Sequence, residues 1–170
     1  SLGFTSHLIT YASDASSVYA TDLDNDGDMD VVSNSNDNDQ VFWLKNNGNQ
    51  SFAKIIISSN VNGPQSVYST DLDGDGDMDV LSASDYDDIE WYENDGSQNF
   101  TTNIVSTTSD WASCVYSVDF DGDGDLDVLS SSSGDDQVAW HENDGTQNFT
   151  ENSIISAPNG VTSIFNVDLD

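Results

Sequence analysis

Residues 71–82 read DLDGDGDMDVLS, and near copies stand at 22–33 (DLDNDGDMDVVS) and 119–130 (DFDGDGDLDVLS), with the opening triplet DLD once more at 168–170. The four starts are 49, 48 and 49 residues apart. Tyr19, Tyr68, Tyr116 and Phe165 keep the same step, as do Trp43, Trp91 and Trp140, and Phe4, Phe52, Phe100 and Phe149. Self-similarity carried through all 170 residues means stacked copies of one supersecondary unit, because a unit this small buries its apolar face only against a neighbour.

Each unit holds four apolar runs of strand length. In the middle unit these are 66–72, 78–84, 88–94 and 99–106, separated by the Asp/Gly loop, by 85–87 and by the Asn94-Asp95-Gly96 turn. No apolar period of helical length competes with them. Four short antiparallel strands in each unit of 48 to 49 residues predict an all-β chain of β-propeller blades. The predicted division puts the last strand of a preceding blade in 1–16, blades at 17–65, 66–113 and 114–162, and the first strand of a following blade in 163–170. This is a partial propeller whose lone flanking strands leave unpaired edges; a seven-bladed ring of this period needs about 340 residues. In the third strand, alternation sets Val41 with Trp43, Ile89 with Trp91 and Val138 with Trp140 on one face. The repeated indole is therefore expected between sheets.

The Asp-rich stretches carry the chemistry. Acids alternate about a glycine: Asp22, Asp24, Asp26, Asp28 and Asp30 about Gly27; Asp71, Asp73, Asp75, Asp77 and Asp79 about Gly76; Asp119, Asp121, Asp123, Asp125 and Asp127 about Gly124. Asp28, Asp77 and Asp125 are expected to offer backbone carbonyls and the others carboxylates. Such a set suits Ca2+, which takes roughly six to eight hard oxygens in irregular geometry. The His and Cys that zinc prefers are missing from the loops. An EF-hand is ruled out, since its twelfth position is Ser33, Ser82 or Ser130 rather than Glu, and a strand follows. Carboxylates this close repel one another unless a cation sits among them. With ~10 μM affinity and ~1 mM free ion, linkage contributes about 2.7 kcal/mol per site, so the fold is expected to depend on calcium.

The formal net charge is -30, with Lys45 and Lys54 the only lysines and no arginine. Nothing basic is available for phosphates or anionic headgroups, so neither nucleic acid nor a charged membrane surface is an expected partner. No run approaches the roughly 20 apolar residues that span a bilayer, and membrane insertion is not expected. Cys114 is the single cysteine and reads as a buried, inert thiol. His7 and His141 stand without repeated partners, no nucleophile elbow occurs, and metal ligation already explains the acid spacing; no catalytic residue is expected. The face away from the metal loops holds the irregular residues, Tyr86 and Trp111 among them. Trp111 falls in a blade connection where the other units have Asp14, Gly63 and Gly160. Covering a blade edge is its expected role, and stacking on a sugar ring the alternative.

The pattern DxDxDGDxDV followed by Trp91-Tyr92-Glu93-Asn94-Asp95-Gly96, with a near copy from Trp140 to Gly145 and a looser one from Trp43 to Gly48, resembles the VCBS/FG-GAP repeat. The calcium loop of that family is similar to those of the integrin α-subunit propeller. The resemblance covers essentially the whole chain, although the FG and GAP tripeptides themselves are lacking. It implies seven-bladed, sometimes eight-bladed, propellers in secreted or surface proteins, used in adhesion, in carbohydrate binding or as scaffold beside an enzyme. It also implies Ca2+ at Asp22, Asp24, Asp26 and Asp30 and their counterparts. The expectation is a calcium-binding, non-enzymatic propeller segment of an extracellular structural or adhesive protein, with glycans or other surface proteins as partners. Two alternatives stand beside it: a lectin-like module using Trp111 and Tyr86, and a self-assembling filament subunit whose unpaired strands are completed by copies of itself.

Overall fold

The computed structural model describes residues 3, 5–49, 51–86, 88–156 and 160–165. They contain twelve strands: β1 (Val18–Thr21), β2 (Asp30–Ser35), β3 (Gln40–Asn46), β4 (Phe52–Ser58), β5 (Pro64–Thr70), β6 (Asp79–Ser84), β7 (Ile89–Asn94), β8 (Phe100–Ser106), β9 (Ala112–Val118), β10 (Asp127–Ser132), β11 (Gln137–Asn143) and β12 (Phe149–Ser156). Four consecutive strands at a time form an antiparallel meander, giving sheets β1–β4, β5–β8 and β9–β12. The one helical element among the described residues is a 3-10 turn at Asn36–Asn38. This is the open, three-bladed arrangement that the repeat predicts.

Strands β5 and β9 begin at Pro64 and Ala112, ahead of the expected starts at 66 and 114. The register shifts between Pro64 and Ser66 in one pair and between Ser131 and Ser132 in the other, so an extra residue bulges out and pairing resumes beyond it.

The sheets pack in series. Leu23, Val32, Val41 and Trp43 of the first meet Val67, Val80 and Tyr92 of the second. Leu72, Leu81, Ile89 and Trp91 of the second meet Ala112, Val115 and Val128 of the third. Full burial of each large side chain contributes about 1.5–3 kcal/mol. Trp43 and Trp91 are buried, at 0% and 3% exposure, as their spacing predicts. Trp140 holds the same register on the free face of the third sheet and is only partly buried, against Phe120 at 5.2 Å between ring centres. On the first strands, Tyr19, Tyr68 and Tyr116 form a column with ring centres 4.7 and 4.6 Å apart. Burial between its two neighbours raises the Tyr68 phenol well above the ordinary tyrosine range.

The described parts of the flanking segments, residues 5–17 and 160–165, join no ladder. Strand backbone is stable only when its N–H and C=O groups are paired, and the described residues offer these segments no partner strand. Residues 7–10, with Ala12 and Ala15, instead lie over the free face of the first sheet, around a cavity of about 380 Å3 that also borders Val18, Phe42 and Leu44. Phe4 and Asp168, which continue the repeat at either end, lie outside the described residues.

Candidate metal centre

Each Asp/Gly loop joins the first and second strands of its sheet. The reversal needs left-handed backbone twice. Asn25, Gly74 and Gly122 at the fourth loop position have φ of 56, 76 and 82°, and Gly27, Gly76 and Gly124 at the sixth have 93, 98 and 102°. Asn tolerates the former, whereas the latter values suit glycine alone. Carboxylates then fasten the loop to itself. Asp22 accepts the N–H groups of Asp26 and Gly27 at 3.1 and 2.9 Å. Asp71 accepts that of Gly76 at 3.0 Å, and Asp119 those of Gly122 and Gly124 at 2.8 and 3.2 Å. These bonds turn alternate side chains to one point. Asp22, Asp24 and Asp26 converge, as do Asp71, Asp73 and Asp75, and Asp119, Asp121 and Asp123, each triad with one oxygen per residue within 4.8 Å of the others.

The side chain of Asp24 is 2% exposed and its Oδ1 has no hydrogen-bond partner; Asp71 Oδ1 is buried in the same condition. A buried carboxylate oxygen without a donor is costly. Burial raises the Asp73 carboxyl, and the charges of Asp75, Asp71 and Glu93 push the same way. Converging, all-oxygen donors with surplus negative charge fit a hard divalent cation of the calcium type.

Of the remaining two expected positions of each loop, the ninth also holds backbone amides, and the seventh, expected to offer its carbonyl, turns its side chain to the neighbouring turn. Asp30, Asp79 and Asp127 are wholly buried and each ties two strands together. Their Oδ2 atoms accept the N–H of Leu23, Leu72 and Phe120 at 3.1, 3.1 and 3.0 Å. Their Oδ1 atoms accept that of Asn46, Asn94 and Asn143 at 2.7, 2.8 and 2.8 Å. The indoles of Trp43 and Trp91 stand against Asp30 and Asp79 without closing a well-formed hydrogen bond. Burial raises the Asp30 carboxyl and takes that of Asp79 to about 7. The ninth acid is thus a backbone clamp, with one lone pair left on each oxygen. The side chains of Asp28, Asp77 and Asp125 reach the turns between third and fourth strands, where they fill the space that a Cβ on Gly48, Gly96 or Gly145 would need.

One neighbour of the first triad escaped the sequence reading. Lys45, on β3, pairs with Asp24 and stands 3.7 Å from Asp26. The signal was the looseness of Trp43-Leu44-Lys45 against Trp91-Tyr92-Glu93.

The connections between sheets gather at the other end of the blades, where Gly63 N–H donates to Asp39 at 3.2 Å and Asp85 N–H to the Gly63 carbonyl at 3.0 Å. Asp85, Tyr86 and Trp111 border a cavity of about 270 Å3 there. Trp111 is 60% exposed and Tyr86 63%, so Trp111 does not cover a blade edge. Its φ is 55°, matching 49, 66 and 68° at Asp14, Gly63 and Gly160. A bulky residue in that left-handed position is strained by about 1–2 kcal/mol. Cys114 is half-buried on β9. His141 is wholly buried, with Ser130 Oγ 2.8 Å from Nε2 and Glu151 4.0 Å from Nδ1. The order Ser, His, Glu is that of a nucleophilic triad, yet Ser130 is 1% exposed and Nδ1 of His141 has no hydrogen bond to Glu151.

Three like sheets in series, each opened by an acidic loop at the same end, define a β-propeller-like repeat protein. The FG-GAP-like repeat matches at residues 22–82, 71–130 and 119–170, and the chain belongs to that family. A solved lectin from Agrocybe aegerita, described for its specific recognition of non-reducing terminal N-acetylglucosamine, is similar in fold, with a TM-score of 0.57 and 21% identity over 82% of this chain. The chain spans 39% of that lectin's length. Among curated protein sequences none matches it.

Proposed function

We propose that the chain is a calcium-stabilised, non-enzymatic propeller segment of an extracellular structural or adhesive protein. The observation that carries this reading is the threefold recurrence of a carboxylate triad whose oxygens lie within 4.8 Å of one another. Asp71, Asp73, Asp75, Asp119, Asp121 and Asp123 are the side chains that would hold the ion, and its charge would offset theirs. Millimolar calcium outside cells and a polyanionic surface that stays soluble in salt suit that compartment. Ligation of this kind stabilises the folded state alone, so two or more sites at ~1 mM Ca2+ raise the melting midpoint by on the order of 15 °C over that in excess chelator. Calorimetry with and without chelator tests this, and an unchanged midpoint would overturn it.

A second reading, a glycan-binding module, is favoured by one observation: Tyr86 and Trp111 are both largely exposed around one cavity beside Asp85. Two accessible rings suit the apolar faces of a sugar. Screening wild type and Trp111→Ala on a glycan array tests it; a signal that the variant retains would remove Trp111 from the site.

A further inference from the structure

We infer that the ammonium group of Lys45 closes the first loop, so that the chain takes calcium at the second and third loops and not at the first. The inference rests on the calcium reading above and concerns what distinguishes three loops of nearly one sequence.

Lys45, Glu93 and Glu142 hold the same register on β3, β7 and β11, opposite Ala53, Thr101 and Thr150. In the first sheet this position delivers a cation to the triad. Lys45 Nζ pairs with Asp24 Oδ2 and stands 3.7 Å from Asp26 Oδ2, while its stem runs past the Trp43 ring, with Nζ 5.5 Å from the ring centre. The lysine side chain is 28% exposed and that of Asp24 2%. The pair is therefore shielded from the water that weakens surface ion pairs.

In the second and third sheets the same position delivers another carboxylate. Glu93 and Glu142 each accept a hydrogen bond from an asparagine one strand across, Asn103 at 3.1 Å and Asn152 at 3.2 Å, which holds the acid in place. The charge of Glu93 is felt at Asp73 and that of Glu142 at Asp121. The first sheet has Ile55 where the others have Asn103 and Asn152, each opposite the repeated tryptophan. The acid and its asparagine are thus replaced together, by a lysine that needs no such support.

Charge makes the difference decisive. Counting each triad with the group that this position delivers, the first stands at about -2, three carboxylates against one ammonium, and each of the others at about -4, three carboxylates with a glutamate. A divalent ion entering the first loop would have to displace an ammonium already bonded to a buried acid. Entering the others, it meets only unneutralised charge.

Equilibrium dialysis with radioactive calcium on the whole chain, read alongside the backbone amide resonances of Gly27, Gly76 and Gly124, tests this. Wild type is expected to bind two ions, with Gly76 and Gly124 shifting on titration and Gly27 unmoved. Lys45→Glu is expected to bind three, with Gly27 now shifting at a calcium concentration within about tenfold of that needed by the other two. Lys45→Met supplies a variant without new charge: in chelator it melts below wild type, and calcium removes the difference by entering the vacated loop. Three ions in wild type with Gly27 among the shifted amides would overturn this inference and leave the calcium reading intact. So would two ions in all three proteins. No uptake by any of them would overturn both.

Discussion

Tyr92 and His141 hold the same place in two successive seams between sheets, and the acid beside each comes from a different strand. In the first seam Tyr92 Oη donates to Glu90 at 2.5 Å and meets Ser82 Oγ at 3.1 Å. In the second, Ala139 replaces Glu90, and the carboxylate is supplied from β12 by Glu151, directly opposite His141 in the ladder. Glu151 accepts from Ser106 at 2.9 Å and Thr108 at 2.6 Å, both on the second-sheet side of the seam. The serine is kept, as Ser82 and then Ser130, and the acid moves one strand when the ring changes. What the repeat preserves is a satisfied polar group inside an apolar seam rather than a given residue. Satisfaction is nevertheless unequal. The phenol has two partners, whereas His141 Nδ1 has none and faces Glu151 across 4.0 Å. Burial pushes the imidazole down to about 4, against the opposing pull of the Glu151 charge, so it is neutral at pH 7.

The largest expected effect follows from the better-satisfied seam. Tyr92→Ala removes a fully buried ring and strips the buried Glu90 carboxylate of its donor, and should cost about 3–5 kcal/mol in urea unfolding; a cost below about 1 kcal/mol would mean the seam is not packed as described. Next comes acid. The unfolded imidazole titrates near 6.5 and the folded one near 4, so between these values the unfolded chain holds more protons. The His141 contribution is then complete above about pH 6.5 and decays as pH falls toward 4, by up to about 3 kcal/mol. Replacing His141 with the tyrosine of the other seam should abolish that decay. Asp79, raised to about 7, works in the opposite sense, but it is common to both proteins. The difference between wild type and His141→Tyr, measured at pH 7 and 4.5 in the same calcium, therefore isolates the histidine together with the Glu151 charge it faces. A difference that does not change with pH would show that the imidazole is not buried neutral. The smallest effect compares the serines. Ser130→Ala leaves both imidazole nitrogens unbonded and should cost about 1–2 kcal/mol, while Ser82→Ala leaves Tyr92 its bond to Glu90 and should cost about half as much. Equal costs would erase the contrast between the seams.

The period of the acidic loops, the four strands per unit and the buried Trp43 and Trp91 were legible in the sequence because each recurs, and recurrence marks what every blade needs. What was illegible depends on contacts across strands. Asp30, Asp79 and Asp127 read as ligands in a row of acids, and the ladder adds that each of them also holds two backbone amides. Lys45 reads as a stray cation until β3 brings it over the first triad. Trp111 was expected to cover a blade edge, yet its ring stands exposed on the same cavity as Tyr86. Glu151 carries no repeat signature at all, since Thr102 is its counterpart, and its meaning lies in Ala139 on the neighbouring strand.

The fit of Asp77 against Gly96, repeated at Asp28 with Gly48 and Asp125 with Gly145, bears on how such chains can be lengthened or recombined. Crossovers in the connections, at 59–62 or 107–109, carry lock and key together from one parent. A crossover between 77 and 96 draws them from two, and the hybrid blade closes only where both parents kept aspartate on one side and glycine on the other. The natural module boundary is thus set by a side chain resting where another residue has none.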